Sequence, residues 1–521
     1  MNFCFLKNNW RFLVFHFALM ILILLIATTS FFDNDYTLQL PPNNIFANIT
    51  YIITIIFTIL FYFVFQLFET KNIKLQNLYL ILVIPLSIMY CIANPLGKIP
   101  DEEQHVRKAM AISKGVFLSH TDENGIPVDM FNSKVNELVT RSVTNYEQAW
   151  SRITAPETDV EIPLKYTMAN YAPICHLPQA FGIFITRLFG AGISVQCYAA
   201  RVTNMALAIY LMYLAIKYVP LKKSVVFFLG LLPLTIQEFA SMSSDALAIS
   251  SCIFYISYIF YLKYDDNKKE INKKDIIILA ITSVVVSLCK IVYVPLCLLL
   301  FILPKEKFTS KKVKHIITSS IFIFAILLNI IWLVYSSGLL GETNPGVNSS
   351  KQVKYILTHP LSYCLILFRT IHIFFQTFVI SLCGEGLGNY NVQASVLFVL
   401  PCFVIFAFLF FINDDTDKKK IDVKSKLIYL FVFVSIVVLI YTSLYVAWTS
   451  YKRPIILGVQ SRYFLPIIIL MAFILDNKKI ILTSKMENKY LASFMLFFNL
   501  NALSCLTYTY IFDYIIEYYI K

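Results

Sequence analysis

The chain has 521 residues, of which 58% are hydrophobic and only 14% are charged, and its mean hydropathy is +0.69. Ordinary soluble domains contain about 25% charged residues, so the composition excludes a soluble enzyme and indicates a polytopic integral membrane protein. The formal net charge of +13 comes from lysines in short clusters between apolar runs, as in cytoplasmic membrane loops, which argues against nucleic acid as a partner. The 11 cysteines form no C-x-x-C pair and indicate neither a disulfide framework nor a zinc site.

Apolar runs of about membrane-spanning length recur throughout the chain. The first is too long for a signal-peptide core and is expected to stay as a membrane helix. The run at 276–303 is predicted to be a hairpin of two helices, broken around Lys290 and Pro295. Segments 173–190 and 361–382 are ambiguous because they carry polar groups. The runs lie near 12–32, 48–68, 76–94, 195–216, 224–240, 246–262, 276–303, 316–336, 394–412, 427–447, 463–475 and 490–511.

The lysine clusters predict the sidedness of these runs. Basic residues favour cytoplasmic loops, and one threading places every cluster and the N-terminus on the cytoplasmic side. That threading requires segments 173–190 and 361–382 to lie along the outer interface or to re-enter, and it leaves about thirteen spans with the C-terminus outside. We therefore predict an all-α membrane protein with two additional N-terminal helices (1–75), a membrane domain (76–475) and a C-terminal helix and tail (476–521). The clusters lie at 7–11, 71–74, 217–223, 263–274, 305–314, 418–426 and 478–489.

The threading brings four polar stretches to the outer face: the long loop 95–194, the turn 241–245, the loop 337–393 and the segment 448–462. Asp101, Glu102 and His105 begin the first of these, directly after an apolar run. Asp101 and His105 are four residues apart on one face of a predicted amphipathic helix, so both can point at one ligand. Val106, Ala109 and Met110 of this helix are expected to face the lipid. The alternative is that the acidic residues only complement a helix N-terminus.

Four further polar residues are candidates for chemistry at the outer face. Asp245 follows two serines at the start of an apolar helix and is either an N-cap or a site residue. Arg462 offers a planar fork of donors that suits a phosphate, or else it is an interfacial arginine that extends toward water. Lys290 lies at the tip of the predicted hairpin, where an intramembrane charge indicates function. Arg201, inside an apolar run, is expected to pair with an acidic neighbour.

Four motifs together resemble a known family. P-D-E-x-x-H at 100–105, S-S-D-A-L at 243–247, K-x-x-Y-V-P-L at 290–296 and Q-S-R-Y-F-L-P at 460–466 are similar to those of an uncharacterised bacterial family of multispanning membrane proteins, which in turn resembles GT-C-type glycosyltransferases. The resemblance runs from about residue 76 to 475. Two features depart from the family pattern: Ser461 replaces the usual glycine before the arginine, and no tryptophan follows the L-G pair near Asn389.

The resemblance implies a GT-C-like bundle in which the large first extracytoplasmic loop is catalytic. Asp101 would deprotonate an acceptor hydroxyl, with Glu102 and His105 beside it. Asp245 would orient the acceptor. Asp101 and Asp245 would be tentative ligands of Mg²⁺ or Mn²⁺, the ions that oxygen ligands suit. The residues implied to bind the lipid phosphate or the sugar donor are Lys290, Gln460, Arg462 and Tyr463.

The resemblance thus implies a glycosyltransferase of the bacterial cytoplasmic membrane. It would move a sugar from a polyprenyl-phosphate donor to a cell-surface polysaccharide or glycolipid acceptor on the outer face. Two alternatives stay open: a transporter or flippase of lipid-linked saccharides, and an oligosaccharide polymerase or ligase. Catalysis requires the carboxylates to cluster at one membrane face, whereas transport favours charges near the midplane.

Overall fold

The computed structural model describes residues 3–32, 44–121, 127–132, 159–163, 171–337, 345–411, 413–414, 421–476, 481–482 and 487–512. Most of these residues are helical. Parts of the predicted outer loops, the lysines at 418–420 and 478–485, and the predicted external C-terminus lie outside the described residues.

The α-helices follow one another in chain order. They are α1 (Phe3–Phe32), α2 (Asn44–Thr70), α3 (Leu75–Ala93), α4 (Glu102–Ser113), α5 (Leu177–Leu188), α6 (Ile193–Tyr218), α7 (Lys223–Gly230), α8 (Pro233–Phe239), α9 (Asp245–Tyr264), α10 (Lys273–Cys289), α11 (Lys311–Ser337), α12 (Ser349–Thr358), α13 (Pro360–Leu382), α14 (Leu387–Tyr390), α15 (Val396–Phe411), α16 (Val423–Ala447), α17 (Ile469–Ile474) and α18 (Glu487–Thr507). Short 3₁₀ helices cover Pro173–His176, Ile291–Ile302, Lys305–Lys307 and Ser461–Tyr463, and a π-helical turn covers Tyr508–Phe512.

Three small sheets supplement the helices. A three-stranded antiparallel sheet follows α4 and consists of β1 (His120–Thr121), β2 (Pro127–Asn132) and β3 (Asp159–Pro163), with Asp129 opposite Ile162. The other two sheets have two strands each: β4 (Glu385–Gly386) pairs antiparallel with β5 (Val392–Gln393), and β6 (Asn413–Asp414) pairs parallel with β7 (Ile481–Leu482).

Within the described residues, nine helices are long and apolar enough to cross a membrane: α1, α2, α3, α6, α9, α11, α13, α16 and α18. The predicted class, a polytopic helical membrane protein, is confirmed. The count of about thirteen spans stays a prediction. Two of the predicted runs differ from single helices: the run at 224–240 divides into α7 and α8 because Pro233 begins a new helix, and the run at 463–475 is helical only in α17.

The predicted hairpin at 276–303 is present, and its break lies at one residue. Helix α10 ends at Cys289, Lys290 is extended (φ −153°, ψ 128°), and a 3₁₀ helix starts at Ile291. Pro295 lies inside that 3₁₀ helix. Lys290 is therefore the residue at which the chain turns.

Helix α9 forms the centre of the bundle. Its side chains are buried on nearly every face, from Asp245 to Tyr264, as expected of a helix that is apolar all round. Helices α6, α8 and α10 pack around it. With 20 residues, α9 covers about 30 Å, the thickness of the hydrocarbon core. Its two ends therefore mark two opposite ends of the bundle.

One end of the bundle, which we call the basic end, gathers the lysine-rich loops. Side chains there join the last turns of some helices to the first turns of others, as the lysine threading requires. The contacts are Lys222 Nζ to the Phe410 carbonyl (3.0 Å), Lys263 Nζ to Ser425 Oγ (2.5 Å), Lys307 Nζ to the Asp265 carbonyl (2.9 Å) and Lys426 Nζ to the Asp476 carbonyl (2.5 Å). The opposite end, where α9 begins at Asp245, we call the cluster end.

The two ambiguous segments differ in length, since α5 has 12 residues and α13 has 23. Helix α5 has 12 residues and covers about 18 Å, which is too short to cross the hydrocarbon. In α13, Tyr363 bonds Thr442 (2.6 Å), whereas Phe378, four turns later, packs on Tyr441 with ring centroids 6.3 Å apart. Both ends of α13 therefore meet α16 within one of its turns, so α13 crosses α16. Because α13 is also one of the nine helices that are long and apolar enough to cross a membrane, its position along the outer interface stays a prediction.

Candidate functional site

Arg462 is the centre of a buried charge cluster at the cluster end. It follows Ser461 in the 3₁₀ turn Ser461–Tyr463, which holds its side chain against three chain segments. Its Nη2 contacts Asp101 Oδ2 at 2.6 Å, its Nη1 contacts Glu238 Oε1 at 3.3 Å, and its Nε lies 3.1 Å from Asp245 Oδ2. Three carboxylates from three distant parts of the sequence therefore converge on one guanidinium.

Lys290 adds a second cation to the same cluster. Its ammonium contacts Asp245 Oδ1, so both oxygens of that carboxylate are paired with cations. Lys290 Nζ also lies 4.4 Å from the centroid of the Tyr463 ring, a distance typical of a cation–π contact. When Asp101, Glu238 and Asp245 are all ionised, the cluster holds three negative charges. Arg462 and Lys290 supply two positive charges, so one negative charge is in excess.

Asp101 differs from the other two carboxylates in exposure and backbone. Its side chain is 45% exposed, whereas those of Glu238 and Asp245 are 1% and 6% exposed. Its backbone is left-handed (φ 62°), a strained conformation for a residue other than glycine. Although Asp101 precedes α4, its side chain makes no capping hydrogen bond and turns to Arg462 instead. Helix capping therefore does not account for this aspartate.

Glu102 points away from the charge cluster. Its two oxygens accept from Arg201 Nε (2.7 Å) and Nη2 (2.6 Å), and also from the backbone N–H groups of Met242 (3.0 Å) and Gly97 (2.9 Å). Arg201 donates further to the carbonyls of Cys91, Asn94 and Pro95. Both side chains are fully buried. The expected acidic partner of Arg201 is thus Glu102, and this pair fixes the turn that carries Asp101.

His105 lies one turn after Asp101 but bonds a second histidine. Its Nδ1 is 2.9 Å from His176 Nε2, and the Tyr171 ring packs edge-on against it. Burial lowers the pKa of His105 to about 4, although the nearby carboxylates of Asp101 and Asp245 oppose this shift. His105 is therefore neutral at pH 7. The predicted lipid-facing side of α4 is wrong, because Val106, Ala109 and Met110 are buried; the helix is covered by α5 and β2.

A cavity of about 130 Å³ adjoins Arg462. Its walls come from α8, α13, the turn around α14 and the segment 459–462. The polar side chains that line it are Gln237, Glu238, Thr377, Ser381, Gln460 and Arg462, and the apolar part of the wall is Pro100, Leu234, Phe378, Gly386, Tyr390 and Val459, with the Ser461 backbone between. Asp101 contacts Arg462 from outside this set of residues.

The turn at Gly384, Gly386 and Gly388 closes the cavity and is not a free loop. All three glycines have positive φ. The Gly388 N–H donates to Gln237 Oε1 at 2.7 Å, and a Cβ at Gly388 would meet the Tyr510 hydroxyl at 2.1 Å. Only glycine fits this close approach.

The arrangement does not suit the tentative metal site. Asp245 has both oxygens committed to Lys290 and Arg462, and a divalent ion would have to displace these cations. In the part of the chain that the structure describes, no group of three or more His, Cys, Asp or Glu side chains is arranged to hold a metal. We therefore assign no step to a metal at Asp101 and Asp245.

The structure thus brings together Asp101, Asp245, Lys290, Arg462 and Tyr463, as the sequence predicted, and places Gln460 at the adjoining cavity. It separates Glu102 from them. Sequence reasoning missed Glu238, although a carboxylate inside the apolar run 224–240 was a usable signal, because intramembrane charges indicate function. It also missed the His105–His176 contact, which links residues 71 positions apart.

Comparison with known protein families shows the family of this chain. Residues 82–471 match the family described as "Predicted membrane protein (DUF2142)", and since this match covers most of the chain, the protein belongs to that family. No curated protein matches the chain. No solved structure matches it either. The matched region contains every residue of the charge cluster and of the cavity.

Proposed function

We propose that the protein is a membrane glycosyltransferase, which moves a sugar from a polyprenyl-phosphate donor to a hydroxyl of a cell-surface glycan or glycolipid at the cluster end. One observation carries this proposal: a partly exposed carboxylate, Asp101, lies 2.6 Å from an arginine that is otherwise buried among carboxylates. A base that substrate can reach and a fixed positive charge beside it are what such a transfer requires.

Asp101 acts as the general base. In the reaction the acceptor oxygen forms a bond to the anomeric carbon of the donor sugar, and the bond from that carbon to the phosphate oxygen breaks. The acceptor proton passes to the Asp101 carboxylate, and the lipid phosphate leaves with the bonding electron pair. General-base catalysis of this kind contributes about 10²- to 10⁴-fold to the rate.

Arg462 and Lys290 stabilise the charge of the departing phosphate. Arg462 is held by Glu238 and Asp245 on its buried side, so its guanidinium is fixed before substrate binds. Only the Nη2 contact to Asp101 involves a partly exposed partner. A phosphate oxygen that replaces this contact would free Asp101 for proton transfer. Preorganised charges are effective because they need no reorganisation during the reaction.

The position of the charges favours an enzyme over a transporter of lipid-linked saccharides. Asp245 is the first residue of α9, and Lys290 directly follows the last residue of α10. Both therefore lie at helix ends and not in the middle of the bilayer, where transporters bind their substrates. The lysine loops at the basic end favour a cytoplasmic basic end and an outer cluster end, in a bacterial cytoplasmic membrane.

The experiment reconstitutes the purified protein in liposomes with a panel of labelled polyprenyl-phosphate sugars and membrane glycan acceptors. Wild-type protein is expected to release lipid phosphate in step with the formation of a new glycosidic bond. Asp101→Asn keeps nearly the same shape but cannot accept the proton, so we expect transfer to fall at least 100-fold while folding is retained.

Glu103→Gln is the matched control, since it removes the same charge two residues further along the chain, in the first turn of α4. Glu103 contacts Gln104 and Arg107 and not the charge cluster, so its transfer rate should match the wild type. Undiminished transfer by Asp101→Asn would remove Asp101 from the catalytic role. Movement of an intact lipid-linked saccharide with no new bond would favour the transporter.

A further inference from the structure

Two side chains that line the cavity beside Arg462, those of Glu238 and Gln460, each carry an oxygen without a hydrogen-bond partner among the described residues. Glu238 is fully buried, and its Oε1 accepts from Arg462 whereas its Oε2 has no hydrogen-bond partner within the described part of the chain. Gln460 Oε1 is likewise buried and unpaired among the described residues. A buried polar atom that has lost water without gaining a partner is costly to leave unpaired. A ligand that donates hydrogen bonds to both oxygens would remove this cost.

The remaining wall limits the chemistry of that ligand. Thr377 and Ser381 add hydroxyls, while Phe378 and Tyr390 add aromatic surface. An apolar lipid tail would leave the two acceptors unsatisfied. An anion would face the Glu238 carboxylate, and Arg462, the cation that pairs with it, is already shared with Asp101 and Asp245. A hydroxyl group both donates and accepts, so it can pair with Glu238 Oε2 whether that oxygen carries a proton or not.

We propose that this cavity is a subsite for one sugar ring, in which two sugar hydroxyls donate to Glu238 Oε2 and Gln460 Oε1 and the ring packs on Phe378 or Tyr390. A cavity of about 130 Å³ has room for one ring. That the bound sugar is a substrate rests on the proposed function, whereas sugar binding in the cavity does not. It makes Gln460 and Glu238 specificity residues, because a sugar that lacks either hydroxyl would leave a buried acceptor unpaired.

Binding is tested separately from transfer. Saturation-transfer NMR on the detergent-solubilised wild type, with methyl glycosides of hexoses and N-acetylhexosamines as probes, is expected to show contact with at least one glycoside. Gln460→Leu should weaken that glycoside about three- to tenfold, the effect of one hydrogen bond. Ser381→Leu should abolish binding because it fills the cavity. Ser362→Leu, the same change near the start of α13 and away from the cavity, should bind as the wild type does.

The kinetic arm tells the donor's sugar from the acceptor's. Ser381→Leu is expected to raise KM for one of these substrates and not for the other, and the affected substrate supplies the ring. No glycoside contact with the wild type, contact that survives Ser381→Leu, or preference for a cationic probe such as ethanolammonium would overturn the subsite. Sugar transfer that both cavity variants leave unchanged would overturn the subsite but not the glycosyltransferase. If the cavity variants weaken glycoside binding but the wild type transfers no sugar, the subsite stands and the glycosyltransferase is overturned.

Discussion

Glu102→Gln is expected to destabilise the protein strongly, because the Glu102 carboxylate receives four donors in a fully buried position. Arg201 Nε and the Met242 N–H meet one oxygen, while Arg201 Nη2 and the Gly97 N–H meet the other. Glutamine replaces one of these oxygens by an NH₂ group, which faces two donors, and it leaves the Arg201 charge without a counterion.

The magnitude follows from the burial of the pair. Removing one partner of a buried ion pair costs about 3–5 kcal/mol, and each hydrogen bond to a charged group contributes about 1.5–3 kcal/mol. We therefore expect the free energy of unfolding to fall by about 3–5 kcal/mol. Thermal unfolding in detergent, followed by intrinsic tryptophan fluorescence, measures this as a lower Tm and a lower yield of folded protein.

Glu103→Gln is again the comparison, since Glu103 is 23% exposed and its pair with Arg107 spans 3.7 Å. Such a pair contributes at most about 1 kcal/mol. If Glu102→Gln melts at the same temperature as Glu103→Gln, the structural role of Glu102 is refuted. A folded Glu102→Gln protein that has lost transfer would instead support the catalytic role that the family resemblance implies.

Arg462→Lys should reduce turnover, because one ammonium keeps the charge but cannot contact three carboxylates in the geometry of the guanidinium; steady-state kinetics at equal folded concentration measures this, and wild-type rates would contradict it. The pKa of His105 is about 4 against an ordinary 6.5, so above pH 6.5 the imidazole is neutral in both the folded and the unfolded chain. As the pH falls from 6.5 toward 4, only the unfolded chain takes up this proton, and the free energy of unfolding falls by at most about 1.4 kcal/mol per pH unit. His105→Gln should flatten that part of the unfolding free energy profile, and an unchanged slope would argue against a buried neutral imidazole. For sidedness, a single cysteine at Lys268 should not react with an impermeant thiol reagent added outside intact cells, and labelling there would reverse the lysine threading.

The sequence predicted the charge cluster because the lysine clusters assign each loop to one side of the membrane. Polar residues far apart in the sequence are then expected on the same side. Asp101 follows an apolar run, Asp245 and Arg462 each precede one, and Lys290 lies at the tip of a predicted hairpin. The lysine rule placed these four positions on one face. No contact between particular side chains was needed for that prediction. The same reasoning predicts an interfacial position for α13, whose 23 residues are also enough to cross a membrane.

What the sequence could not predict depends on pairing between distant residues. Glu102 and Asp101 are neighbours with the same charge and similar local patterns, yet a left-handed backbone at Asp101 sends their side chains to different arginines. Glu238 lies inside an apolar run that was predicted as one span, whereas in the structure Pro233 begins a separate helix that carries it. Helical periodicity alone cannot indicate which of two adjacent carboxylates finds a partner about a hundred residues away.

The location of the charged residues at helix ends also bears on whether the membrane potential can supply energy to the proposed reaction. A membrane potential performs about 2.3 kcal/mol of work per elementary charge per 100 mV, but only on charge that moves through the hydrocarbon. Asp245 and Lys290 lie where α9 begins and α10 ends, so they are at the edge of the voltage drop. Transfer at this site should draw its energy from the phosphate ester alone, and an ionophore that collapses the potential of sealed vesicles should leave its initial rate unchanged.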